Sequence, residues 1–272
     1  MSQPEDGATP SPSAWQPFTF GGVAAFAAAG LGRLMLAELV TAILVGVSVV
    51  SSVQRDWSPV VLQVIQQMPE TARIAGGQLS GVDETVIAET KFFAIAVTPE
   101  TSSPIGQSAD WQVQLRPTDF RMGSVFRPDW GWAFDYGPAT VLDLSRSNLE
   151  PWWGAWHPII LTGIGVAVGV SLFIVWALVA LVYTAPAKCL GWFADRQLAW
   201  GGAWRLSSAA LIPGTFVLIF GILLYSWRGV DLIGLGFLWL AHLLIGWVYV
   251  AGSALACPRL PHAASKPNPF NS

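Results

Sequence analysis

Four long apolar runs punctuate the chain, and between the first two the pattern changes to short alternating segments. The runs are 34-LMLAELVTAILVGVSVVSSV-53, 158-PIILTGIGVAVGVSLFIVWALVALVY-183, 206-LSSAALIPGTFVLIFGILLYSW-227 and 232-LIGLGFLWLAHLLIGWVYVAGSALA-256. A bilayer core about 30 Å thick is crossed by a helix of roughly 20 apolar residues, so the pattern predicts four transmembrane helices. Glu38 is the one charge in the first run, and the second carries none. Pro213 falls near the expected start of the third, where a missing N–H costs least. Residues 21-GGVAAFAAAGLGR-33 would overextend a single span, so 21–53 is read as an interfacial lead-in followed by the first helix. The Pro/Ser-rich tail 1–20 is expected to be disordered. It carries Glu5 and Asp6 but no Lys or Arg, which argues against a cleaved signal peptide.

Residues 54–156 read as a small α+β or mostly-β domain outside the membrane. In 59-PVVLQVIQQMP-69, Val60, Val61, Val64, Ile65 and Met68 share one helical face. That helix is expected to pack on the domain or lie along the membrane surface. The segments 72–81, 84–90, 91–99, 111–117, 120–126 and 138–144 have strand character, with a Gly-Gly break in the first and a loop at 100–110. Trp111, Trp130, Trp132, Phe134 and Tyr136 are expected in a core or a membrane-facing patch.

Composition strengthens the membrane reading. The 272 residues are 53% hydrophobic and 11% charged, against about 25% charged in soluble domains. A net charge of -3 argues against a nucleic-acid partner. Basic residues in short loops set orientation. Lys188, Arg196 and Arg205 lie in or at the edge of the 184–205 loop, and Arg259 and Lys266 in the tail 257–272, whereas 228–231 offers Arg228 beside Asp231. The chain is therefore expected to be a multi-pass protein of a bacterial inner membrane, with both termini and 184–205 cytoplasmic and helix two at 157–183.

Trp152, Trp153 and Trp156 precede the second run, Trp57 follows the first, and Trp227 ends the third. Indole rings favour the membrane–water interface, and these five are expected to be interfacial anchors. His157 beside them reads as an interfacial polar residue. Inside the spans, Glu38 and His242 are the ionisable candidates. They suit either a helix–helix hydrogen bond or a proton or ion relay. The inner loop interleaves Trp, Phe and Leu with Lys188, Arg196 and Arg205, as an amphipathic segment on the inner leaflet or a partner-docking surface would. Cys189 and Cys257 have no metal-ligand spacing, and no GxSxG, HExxH, P-loop or GxGxxG motif occurs. No catalytic residue, cofactor or metal is expected.

The segments 68-MPETARIAGGQLS-80, 93-FAIAVTPET-101 and 200-WGGAWRLSSAALIPGTF-216 resemble a family of bacterial membrane proteins without assigned activity, some associated with maltodextrin utilisation. The resemblance covers most of 34–256 and implies one helix, an extracytoplasmic insertion and three further helices, with an accessory role. The expected function is that of a non-enzymatic accessory, assembly or sensing subunit. Its expected partners are the lipid bilayer and another protein or a second copy. A small oligomeric transporter or channel and a membrane enzyme on lipid or envelope substrates are the alternatives.

Overall fold

The computed structural model describes residues 16–99, 109–124 and 127–261, with backbone only at 127–130. The expected tail up to residue 15, the loop at 100–108 and the tail beyond 261, with Lys266, lie outside the described residues. In chain order the elements are α1 (Phe20–Ala25), α2 (Leu31–Asp56), α3 (Ser58–Gln67), β1 (Arg73–Ala75), β2 (Gln78–Ser80), β3 (Val86–Glu89), β4 (Phe93–Val97), β5 (Trp111–Leu115), β6 (Asp119–Ser124), β7 (Arg127–Asp135), β8 (Leu142–Asp143), α4 (Arg146–Phe193), α5 (Trp200–Ser226) and α6 (Leu232–Ala256). Four stretches, Leu31–Gln67, α4, α5 and α6, are long and apolar enough to cross a membrane, and the β region lies between the first and second. The chain forms two compact units, Met1–Gly46 with Ala167–Ser272, and Val47–Val166.

In the helical unit α5 is the centre. Its N-terminal half is buried almost without interruption from Gly202 to Thr215, apart from Trp204 and Arg205. Around it pack Val23, Phe26, Leu34, Trp176, Tyr183 and Val250. By contrast, α6 and the part of α4 in this unit leave large side chains uncovered, among them Val170, Ile174, Leu178, Phe237, Leu244 and Val248. Apolar exteriors of this extent call for an apolar surrounding. The approach of α5 to α6 is close enough that a Cβ on Gly214 would stand 2.3 Å from the His242 carbonyl oxygen.

Three expectations are revised here. The lead-in 21–33 is packed into the helical unit over its first half, where Val23 and Phe26 are fully enclosed, while residues 30–33 stay exposed. The 184–205 stretch is not a loop: α4 runs on to Phe193 and α5 begins at Trp200, with Leu198 buried between them, while Trp192, Phe193 and Trp200 are exposed. Pro213 accordingly sits in the middle of α5 rather than near its start. The third revision concerns α4, whose 48 residues begin at Arg146, well before the expected entry at 157. Ser145 starts it by accepting from the N–H groups of Asn148 and Leu149, while its own N–H donates to Asp143. A Ser ahead of 146-RSNLE-150 is a recognisable helix start, masked in the pattern by the strand-like residues before it.

The β-rich unit is built on a five-stranded sheet of order β3-β4-β5-β6-β7, antiparallel except for the parallel β4–β5 pair. α3 lies across it, and Val60 and Val64, with Met68 at its C-cap, pack against Ala88, Phe93, Val97 and Val113, while Ile65 is also buried, as expected from the spacing. A second sheet, β2-β1-β8, contains the β1–β2 hairpin. Its two-residue turn places Gly76 at φ +61° and Gly77 at φ +79°. Two successive positive φ angles define the tight turn whose twist matches the strands. The Gly-Gly break in 72–81 is thus a reversal between two strands. Of the expected strand 138–144 only Leu142–Asp143 pairs, and β7 was not anticipated as a strand.

Candidate functional site

The sheet of the β-rich unit ends at β7, nine residues long, which among the described residues pairs with β6 alone. An unpaired strand edge presents a row of N–H and C=O groups that a further strand can join. Side chains alternate along a strand, so Trp132 and Phe134 leave the same face, and they are 61% and 59% exposed. Phe134 lies 6.3 Å from Phe120, which packs at the rim of the core, so an aromatic row runs from the core to the edge. Of the aromatic set expected in a core or patch, Trp111 borders the core, Trp132 and Phe134 are exposed, and the side chain of Trp130 lies outside the described residues.

The base of this edge is held by charge. Asp119 opposes Asp135 across the β6–β7 pair and is neutralised by Arg121 at 2.9 Å and Arg116 at 3.6 Å. Tyr136 follows β7. Burial, and then the charge of Asp119, push its hydroxyl pKa up to about 12.

Trp57 has a different role from the expected anchor. Its ring stacks on Phe93 with centroids 4.4 Å apart and planes 4° from parallel, joining the sheet core. Ser58, the first residue of α3, is hydrogen-bonded to His157 Nε2 at 2.9 Å, and the His157 ring packs 4.8 Å from Trp153. His157 and Trp153 therefore fasten α4 to the start of α3. Trp152 and Trp156, whose rings are 6.4 Å apart, remain exposed, as does Trp227 at the end of α5. Those three keep the exposure an interfacial anchor needs.

A cavity of about 460 Å³ is lined by Glu70, Thr71, Ala72, Arg73, Ser80, Gly81 and Asp143. Both its carboxylates are engaged at the start of α4. Glu70 accepts from the Ser147 hydroxyl at 2.6 Å, and Asp143 accepts from the Ser145 N–H at 2.9 Å and from Asn148. The Ser145 hydrogen bonds hold the Asp143 carboxyl below the usual carboxylate range. This arrangement caps a helix, and no three His, Cys, Asp or Glu side chains group as metal ligands among the described residues.

In the helical unit Glu38 is 2% exposed and accepts a hydrogen bond from Ser208 of α5, which is equally enclosed. His242 donates through Nδ1 to the Trp239 carbonyl of its own helix. The two ionisable candidates are thus held by separate partners. Lys188, Arg196 and Arg205 each donate to a backbone carbonyl, those of Leu198, Cys257 and Ala27. Ser208 as the partner of Glu38 was not anticipated. The one available signal was a Ser pair, Ser207–Ser208, in an otherwise apolar run.

These features define a chain with four helices suited to a membrane and a β-rich unit inserted between the first two. Comparison with protein-family models, with curated proteins and with solved structures finds no match.

Proposed function

We propose that the chain is a non-enzymatic multi-pass membrane protein, an accessory, assembly or sensing subunit that recognises a protein partner through its β-rich unit. The observation that carries this reading is the nine-residue edge of β7, unpartnered among the described residues, with Trp132 and Phe134 exposed on one face. Strand addition at such an edge gains affinity from main-chain hydrogen bonds and specificity from alternate side chains. Large aromatics are also the residues that most often dominate binding energy at interfaces. The topology that goes with it has both termini and the 194–199 link on the cytoplasmic side of a bacterial inner membrane.

The test is site-specific photo-crosslinking from positions 132 and 134 in cells, followed by mass spectrometry. A single protein crosslinked at 132 and 134, and absent when the crosslinker is moved to exposed Leu62 on α3, supports the reading. Equal, diffuse crosslinking at all three positions refutes it.

A second reading, a small transporter, draws on one feature: Glu38 is a carboxylate enclosed in the helical unit. Ionisable residues at such depth mark ion or proton pathways in membrane proteins. Loss of proton-coupled flux in Glu38→Gln, with the fold intact, would favour it over the accessory role.

A further inference from the structure

One end of the helical unit concentrates positive charge that no ion pair offsets among the described residues. α4 closes when the Arg196 N–H reaches the Gly191 carbonyl at 2.8 Å, and Asp195 takes φ +53°. Aspartate tolerates this left-handed conformation better than most residues. The turn lays the link after α4 antiparallel to the chain leaving α6. Gln197 N–H donates to Pro258 and Leu260 N–H to Asp195, both at 2.8 Å, and Arg196 stands directly opposite Arg259.

Directly opposed residues in an antiparallel pair have Cβ atoms about 5 Å apart and project to the same face, and like charges so placed repel. Lys188, bound to the Leu198 carbonyl of the same link, adds a third cation. Asp195 is the sole acidic residue of 184–206 and 257–261, and it joins none of the ion pairs among the described residues. Arg196 spends one guanidinium nitrogen on Cys257, while Arg259 is exposed and its side chain has no protein partner among the described residues. The backbone, then, holds two arginines together that their charges would separate. An anion between them would remove that cost. Trp192 and Trp200, 71% and 63% exposed, flank the link on either side in sequence. Such rings concentrate at the headgroup level of a bilayer.

We propose that the Arg196–Arg259 pair, with Lys188, binds the phosphate of an anionic phospholipid headgroup, with Trp192 and Trp200 beside it at the membrane interface. Planar guanidinium forks suit phosphate oxygens, and the apolar exterior of α4 and α6 supplies the surface along which acyl chains would lie. This site is separate from β7 and does not rest on the partner reading.

The test uses the full chain in nanodiscs of phosphatidylcholine doped with phosphatidylglycerol, and reads lipid retained on extraction into mild detergent by native mass spectrometry. Wild type is expected to retain phosphatidylglycerol in preference to phosphatidylcholine. Each cation near an anionic surface contributes about fivefold, so Arg259→Gln should lower the preference about fivefold and the Arg196→Gln/Arg259→Gln pair roughly twenty-five-fold. Arg228→Gln, beside Asp231 in the α5–α6 turn, should leave it unchanged. Because the Arg259 side chain makes no hydrogen bond or ion pair among the described residues, its variant reads binding even if the double variant folds poorly. Equal retention of the two lipids, or the same loss in Arg228→Gln as in Arg259→Gln, overturns the proposal. Full displacement of the lipid by millimolar inorganic phosphate also overturns it, assigning the arginines to a soluble anion instead.

Discussion

Gly214→Ala should separate α5 from α6, and its magnitude can be set against an internal control. The added methyl would lie 2.3 Å from the His242 carbonyl oxygen and 3.0 Å from its carbon, where ordinary contact begins near 3.4 Å. The obstruction is backbone, so no rotamer change relieves it, and the helices must part by about 1 Å. Forcing one methyl into a packed interface costs about 1–3 kcal/mol. Against this, Gly to Ala within a helix gains up to about 1 kcal/mol. Gly236 of α6 has no atom within 4 Å of the corresponding methyl position, so Gly236→Ala carries the gain alone. The difference between the variants isolates the clash and should be about 1–3 kcal/mol, with Gly236→Ala the more stable. Reversible unfolding in mixed micelles, followed by tryptophan fluorescence, measures it. Two variants of equal stability would refute the close approach of α5 to α6.

Other consequences are separately measurable. Trp57→Ala removes the ring stacked on Phe93 and should cost the β-rich unit about 3 kcal/mol, seen as faster proteolysis within 58–145 while α5 and α6 stay protected. Unchanged proteolysis would return Trp57 to the role of an external anchor. Glu38→Ala leaves the enclosed Ser208 hydroxyl without its acceptor, a loss of about 1–3 kcal/mol that Glu38→Gln should largely restore; equal melting of both variants would exclude that bond as a stabiliser. For Tyr136 the folded pKa of about 12 lies above the ordinary tyrosine value of about 10. The unfolded chain therefore gives up this proton first, and the stabilisation, complete below pH 10, should decline as pH rises toward 12. Tyr136→Phe should flatten that part of the pH profile, and an unaltered profile would show that another group governs it.

The helical architecture was legible because hydropathy reports directly on helices of this length: the fourth apolar run and α6 cover the same residues, 232–256. Other helix ends were less accessible. Those of α4 and α5 depend on caps and tertiary support, and the run from Arg146 to Phe193 contains Pro151, Pro158 and Pro186, each of which reads as a boundary in isolation. In the β-rich unit, alternation disclosed β3 to β6. The stretch 127-RPDWGWAFD-135 also alternates, with Trp130, Trp132 and Phe134 set against Gly131 and Ala133, but its Pro, Gly and Asp residues are depleted in strands and masked it. A sheet edge tolerates such residues where a central strand does not. The tryptophans show the complementary limit. Trp57 and Trp152 are alike in sequence, each beside an apolar run, but Phe93 covers one, and among the described residues the other meets only the ring of Trp156. Hydropathy states that an indole seeks cover, not whether protein or lipid supplies it.

The three cations chosen for partner docking sharpen this point. Lys188, Arg196 and Arg205 were selected for charge and neighbouring aromatics, and each is spent on a carbonyl where the chain turns: Leu198 in the α4–α5 link, Cys257 after α6, Ala27 after α1. Carbonyls at helix ends and in links lack the partners that helix interiors provide, and cations there satisfy them while complementing the helix dipole. Basic residues at the helix ends of this unit thus hold neighbouring segments together through their carbonyls. A partner that pulled Lys188 or Arg205 away would leave those carbonyls unsatisfied, so binding there must either keep the internal bonds or use cations without them. Arg259 meets the second condition, and Arg196, with one nitrogen committed, meets the first. Their opposition across the α4–α5 link is therefore where an external anion gains most for the least disruption.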